Sequence, residues 1–194
     1  MEDTICLALG QCLLCPQTED VDWIAGGETV IVTLIVVAYI CALSLFFILV
    51  IPPLAPTKLF MRFFPQDIRE AAKDHPDPPK ERRILGWLLT AVLSVAYLGA
   101  LVFIGYDGLR RGNGFCLLFG RYLLFFYGYK VFDILVQDQH IVIRKKYYLR
   151  FYPETRDCES WNDYSFNKRN QMKRLIAFPF VCALLAWITL RIGG

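Results

Sequence analysis

TVIVTLIVVAYICALSLFFIL, residues Thr29 to Leu49, runs for 21 positions without a charged side chain, and Pro52 and Pro53 close it. A membrane-spanning helix needs about 20 predominantly apolar residues, so this stretch has the length and composition of a crossing. Three more blocks follow the same pattern. Ile84 to Tyr106 lies between the charged run Lys80, Glu81, Arg82, Arg83 and Asp107. Phe115 to Val136 is apolar on most sides but carries Arg121, Lys130 and Asp133. Leu175 to Leu190 is a shorter block of 16 residues between Arg174 and Arg191, with Pro179 near its start. The long stems of those arginines can carry their charges to the interfaces of a thin crossing.

The whole composition agrees. The chain has 194 residues, 22.4 kDa, a formal charge of +3, 56% hydrophobic residues and a mean hydropathy of +0.40. That is too apolar for an ordinary soluble domain, a disordered tail or a nucleic-acid module. In hydrocarbon the backbone polar groups of each block are satisfied only within a helix. The expected fold is an all-α integral membrane protein. Its four transmembrane helices form a compact bundle over residues 29–194, preceded by an acidic N-terminal segment, 1–28.

Orientation follows from lysine and arginine. Residues 1–28 contain none, 52–83 contain seven, 107–113 contain two and 137–174 contain nine. Sixteen basic residues therefore fall in two loops on one side. Those loops, about 52–83 and 137–174, are expected to be cytoplasmic, with both termini outside a multi-pass cytoplasmic-membrane protein. Ile5 to Leu14 is mildly apolar, but Glu2 and Asp3 have the wrong sign for the start of a signal peptide. A short interfacial segment is the expectation there.

Seven cysteines are spread as Cys6, Cys12, Cys15, Cys41, Cys116, Cys158 and Cys182. Cys12 and Cys15 form a C-x-x-C pair placed to make a disulfide outside the membrane. Cys41, Cys116 and Cys182 read as small apolar fillers of helices. No spacing fits a structural zinc site, and neither a metal nor a cofactor is expected. Motifs for nucleotide hydrolysis, zinc proteolysis and serine hydrolysis are absent from the sequence. His75 lies between Asp74 and Asp77, where the prolines at 76, 78 and 79 favour a stiff turn.

The third block carries the candidate site. Lys130, Asp133, Gln137 and His140 follow one another by 3, 4 and 3 residues, a single stripe at about 100° per residue of α-helix. Lys130 and Asp133 suit each other at i,i+3, and charges at this depth should face other helices or an aqueous cleft. Arg144 continues the seam, Asp138 lies off it, and Arg121 sits almost opposite Lys130. These three are accessory candidates, Arg121 needing another partner or a route to the outer interface.

The expected function is binding or conveying an ion, a small polar solute or a lipid headgroup through this cleft. Two alternatives use the same residues: an enzyme acting on a lipid headgroup, and a structural or regulatory subunit of a membrane complex. Expected partners are membrane lipids, anionic at the cytoplasmic face, and another membrane chain or a second copy. Ala38 with Ala42 and Ala96 with Ala100 offer small faces for close helix approach. Basic residues interleaved with aromatics, Lys58 to Phe64 and Arg144 to Tyr152, are expected to contact the membrane surface rather than nucleic acid.

Overall fold

The computed structural model describes residues 23–163 and 168–193, and every regular element among them is helical. Among the described residues four helices are long and apolar enough to cross a membrane. Helix α1, Trp23–Val50, covers the first block and stops before Pro52. Two short helices, α2 at Thr57–Met61 and α3 at Gln66–Ala71, lie in the connection that follows. Helix α4, Lys80–Arg110, starts directly after Pro79, whose fixed φ suits a helix entry. Its 31 residues make roughly 46 Å of helix, longer than a hydrocarbon core of about 30 Å. Gly112, at φ +68°, lets the chain turn out of α4 in a left-handed conformation that a side chain would resist.

Helix α5, Phe115–Phe132, continues without a break as a π-helical segment, Asp133–Arg144, which Lys145 closes with a bond to the His140 carbonyl. The helix of the third apolar block thus continues past Val136 to Arg144, the last residue of the expected seam. Three 3-10 turns, Tyr147–Arg150, Pro153–Thr155 and Glu159–Asn162, lead towards α6, Lys168–Gly193. Pro179 lies inside α6. The N-terminal segment 1–22, with the Cys12–Cys15 pair and the interfacial stretch, lies outside the described residues.

Two buried clusters organise the chain. Between the long helices, Val37, Ile40 and Cys41 of α1 meet Ala100 and Ile104 of α4, Leu118, Tyr122 and Phe125 of α5, and Cys182 and Ala186 of α6. The second cluster joins the two connecting segments: Leu54, Phe60, Met61 and Ile68 pack with Tyr148, Tyr152 and Trp161. Gly86 brings α4 against this region, because a Cβ there would lie 2.8 Å from the Leu54 carbonyl oxygen.

This second cluster changes the reading of the aromatic loop runs. Phe60 meets Tyr148 edge-on at 5.3 Å and stacks on Tyr152 at 5.9 Å, and Phe64 leans on Trp161 at 5.7 Å. The rings pack on one another, while Phe63 stays exposed. The phenols have a second task at the end of α1, where Pro52 and Pro53 lack N–H groups and helix carbonyls need donors. Tyr147 donates to the Leu49 carbonyl at 2.8 Å, Tyr148 to Ile48 at 3.3 Å and Tyr152 to Pro52 at 3.2 Å. Burial and the nearby Glu154 and Asp77 carboxylates push the Tyr152 phenol up to about 12, so it remains a donor at neutral pH. Further ties between the two segments run from His75 to Glu154 at 2.8 Å and from the Ser160 N–H to Asp67 at 3.2 Å.

Polarity across the long helices is inverted relative to a soluble protein. Val95, Val102 and Phe180 are exposed on the outside, whereas Thr33, Arg121, Lys130 and Gln137 are buried inside. An outer surface this apolar is stable only where something apolar covers it.

Candidate functional site

The polar residues of α5 and of its π-helical continuation fall into two groups at opposite ends of the four long helices. Towards the connecting segments, the buried Lys130 ammonium pairs with the Asp133 carboxylate one turn on. Gln137 is buried and donates from Nε2 to the Ser44 hydroxyl of α1 at 2.6 Å, and Ser44 shares a 3.0 Å bond with the Tyr129 phenol. Gln137 thus faces α1, while Lys130 and Asp133 pair along their own helix.

His140 is placed differently. It is exposed, as is Arg144. The reason is the π-helical segment that begins at Asp133, since an i→i+5 ladder advances by less angle per residue than an α-helix. The smaller advance per residue carries His140 off the stripe and brings Asp138 closer to the face that Asp133 occupies. Asp138 Oδ2 accepts a 2.8 Å bond from Gln171 Nε2 of α6, and the carboxylate lies within electrostatic reach of Asp133, Lys130 and Arg174. Gln171 is itself buried, and its Oε1 has no donor. The seam expected along one α-helical face is therefore a cluster shared by α1, α5 and α6.

Arg121 belongs to the other end. Its stem runs back towards the start of α5, as side chains on a helix do. There its Nε donates to Thr33 Oγ1 at 3.0 Å and its Nη2 to Asp107 Oδ2 at 2.7 Å. Thr33 directs its own proton to the Thr29 carbonyl at 2.9 Å. The other oxygen of Asp107 accepts from Arg111 Nε at 3.0 Å, and Arg111 Nη1 reaches Glu28 at 3.0 Å. The partner that Arg121 needs is thus an acid fourteen residues earlier, at the end of α4. Gly108 makes the approach feasible, since a Cβ there would overlap the Leu118 side chain and lie 3.2 Å from Arg121 Nη1.

Ser44, Gln171, Asp107 and Thr33 complete these two groups, and each comes from a helix other than α5. Asp107 and Arg111 had a readable i,i+4 relation in the sequence. Gln171, just before the fourth apolar block, had no local signal. Among the described residues no cluster of three or more His, Cys, Asp or Glu side chains could hold a metal ion. Cys41 and Cys182 are buried and unbridged, Cys158 is half-buried, and Cys116 is exposed.

No protein-family model, no curated protein and no solved structure matches this chain.

Proposed function

We propose that the chain is a multi-pass membrane protein in which the four long helices form a bundle, and that the loop-side end of α5 binds or conveys a small cation. The observation that carries this reading is an excess of acceptors in a part-buried place. Two carboxylates, Asp133 and Asp138, accompany one buried ammonium, Lys130, and the buried Gln171 Oε1 lacks a donor. Arg174 is exposed at the edge, where water screens it. A proton or an alkali cation would balance the carboxylates, and either fits acceptor oxygens better than a lipid phosphate would. Ionisable groups held inside a span are costly and mark ion pathways more often than chance contacts. A run of π-helix is also common at functional sites.

In this reading Asp138 and Gln171 Oε1 receive the cation, Lys130 holds Asp133 in place, and the Gln137–Ser44–Tyr129 chain fixes α5 against α1. The basic connecting segments lie on the cytoplasmic side, where they meet anionic lipid. The test is uptake by proteoliposomes, with radioactive sodium and an internal pH dye read separately. Wild-type protein should admit one of the two ions, and Asp138→Asn should reduce uptake at least about tenfold with the fold retained. Uptake equal to that of empty vesicles, or unchanged by Asp138→Asn, defeats the assignment.

A structural-subunit reading has one observation in its favour: Lys130 and Asp133 neutralise each other where they stand. Stable copurification of another membrane chain, with no ion uptake, would select it.

A further inference from the structure

The end of the molecule opposite the cation site holds donors with nothing to donate to. Arg121 is 3% exposed, and while Nε and Nη2 are bonded, Nη1 has no acceptor. Asn113 is 7% exposed, and its Nδ2 also has no acceptor. The two residues meet the same point of α4: Arg121 Nη1 lies beside Gly108, and the Asn113 backbone N–H donates to the Gly108 carbonyl at 2.9 Å. Burying such donors without a partner is costly, and most so where the group is charged.

The surroundings specify what would fill the gap. Asn113 immediately precedes Gly114, the N-cap position of α5, and that helix start has no side-chain cap. The positive end of an 18-residue helix dipole therefore adds to the two orphan donors. In charge the network balances, Arg121 and Arg111 against Asp107 and Glu28, the last 62% exposed at its side chain. What its buried part holds in surplus is N–H groups, one of them on a guanidinium. An oxyanion answers these donors, whereas a cation or another donor does not.

The same level of the protein has the features of a headgroup layer. The Arg110 guanidinium lies over the Tyr106 ring at 5.9 Å, and Arg191 lies over Trp187 at 5.6 Å. The two helix ends are level with each other, because Gly193 meets the Leu109 side chain. Aromatic rings topped by arginines are the usual composition of a membrane–water interface. We propose that Arg121, Asn113 and the uncapped start of α5 form a binding site for one phosphate oxyanion, presented by a lipid of the leaflet at this end.

The test counts phosphate-bearing lipid on the full chain. Protein would be reconstituted in nanodiscs of phosphatidylglycerol, extracted into mild detergent and weighed by native mass spectrometry, with inorganic phosphate titrated separately against thermal unfolding. Wild-type protein should retain one lipid. Asn113→Asp puts a carboxylate among the donors without disturbing the Arg121–Asp107 pair, and should lower retention about tenfold while keeping or raising stability. Asn113→Leu, which removes the donor and adds no charge, should lower retention by a smaller factor. Stabilisation by inorganic phosphate without retained lipid would keep the oxyanion chemistry but overturn its lipid source. Neither retained lipid nor a phosphate effect means that a buried water answers the donors, and overturns the site. Equal retention by all three proteins also overturns it.

Discussion

Lys130 and Asp133 are each tolerable at their depth because of the other. An ion pair of this kind contributes little net stability against an apolar replacement, yet losing Asp133 leaves the buried Lys130 charge without its partner. Asp133→Asn should therefore destabilise the protein by about 3–5 kcal/mol, whereas Lys130→Met with Asp133→Leu should be neutral or stabilising. Reversible unfolding in detergent would separate the two. Near-equal stabilities for the single variant and the wild type would mean that Lys130 reaches water on its own. The pair was readable from spacing alone, because three residues make nearly one turn whether the helix that follows is α or π. The next members were not. Nothing in Asp133–Arg144, which contains neither glycine nor proline, announces a change of helical period.

Among the elements, the connecting segments depart most from what their composition suggests. Basic and aromatic residues in alternation look the same whether the rings enter lipid or each other, and only pairing between segments far apart in the chain decides it. Tyr147 and Tyr148 are committed to the last carbonyls of α1, a need that Pro52 and Pro53 create, and Tyr152 to the carbonyl of Pro52 itself. The segments are also tied by Asp67. Burial pushes its carboxyl up, but bonds from the Ser160 hydroxyl and N–H and from the Ile68 N–H outweigh that and hold it below the usual carboxylate value. A carboxyl depressed by folding contributes stability above its unfolded pKa, near about 3.9, and loses that contribution as pH falls through the lower folded value. The Asp67–Ser160 tie should thus be intact at neutral pH and fail only below about pH 4. Hydrogen exchange at the Ser160 amide would report it, with protection falling in acid for the wild type. In Asp67→Asn, protection should be lower and independent of pH over that range. Acid-insensitive protection in the wild type would mean that Asp67 does not hold Ser160.

At the scale of the whole molecule, the four apolar helices were legible because a long uncharged run needs no phase to be recognised. Their lateral partners were not, since one sequence does not say which helix supplies Ser44 or Gln171. The positive-inside count also shifts once side chains are placed. Arg121 reaches Asp107, and α6 ends beside Leu109, so Arg121 and Arg191 join Arg110 and Arg111 at the end away from the basic segments. Sixteen basic residues against four still favours cytoplasmic connecting segments, by a narrower margin than the turn 107–113 alone suggests.

The loop-side half of α5 and its π-helical continuation should turn polar groups towards protein and apolar groups towards lipid, and the proposed cation site depends on that orientation. Spin labels placed singly at Val131, Leu135 and Gln137, in a chain with its native cysteines replaced by alanine and reconstituted in lipid, test this through collision with oxygen and with a water-soluble nickel complex. Val131 and Leu135, both exposed, should collide freely with oxygen and rarely with nickel, and the buried Gln137 should show little oxygen access. The highest oxygen access at Gln137, or nickel access at all three positions, would contradict the account.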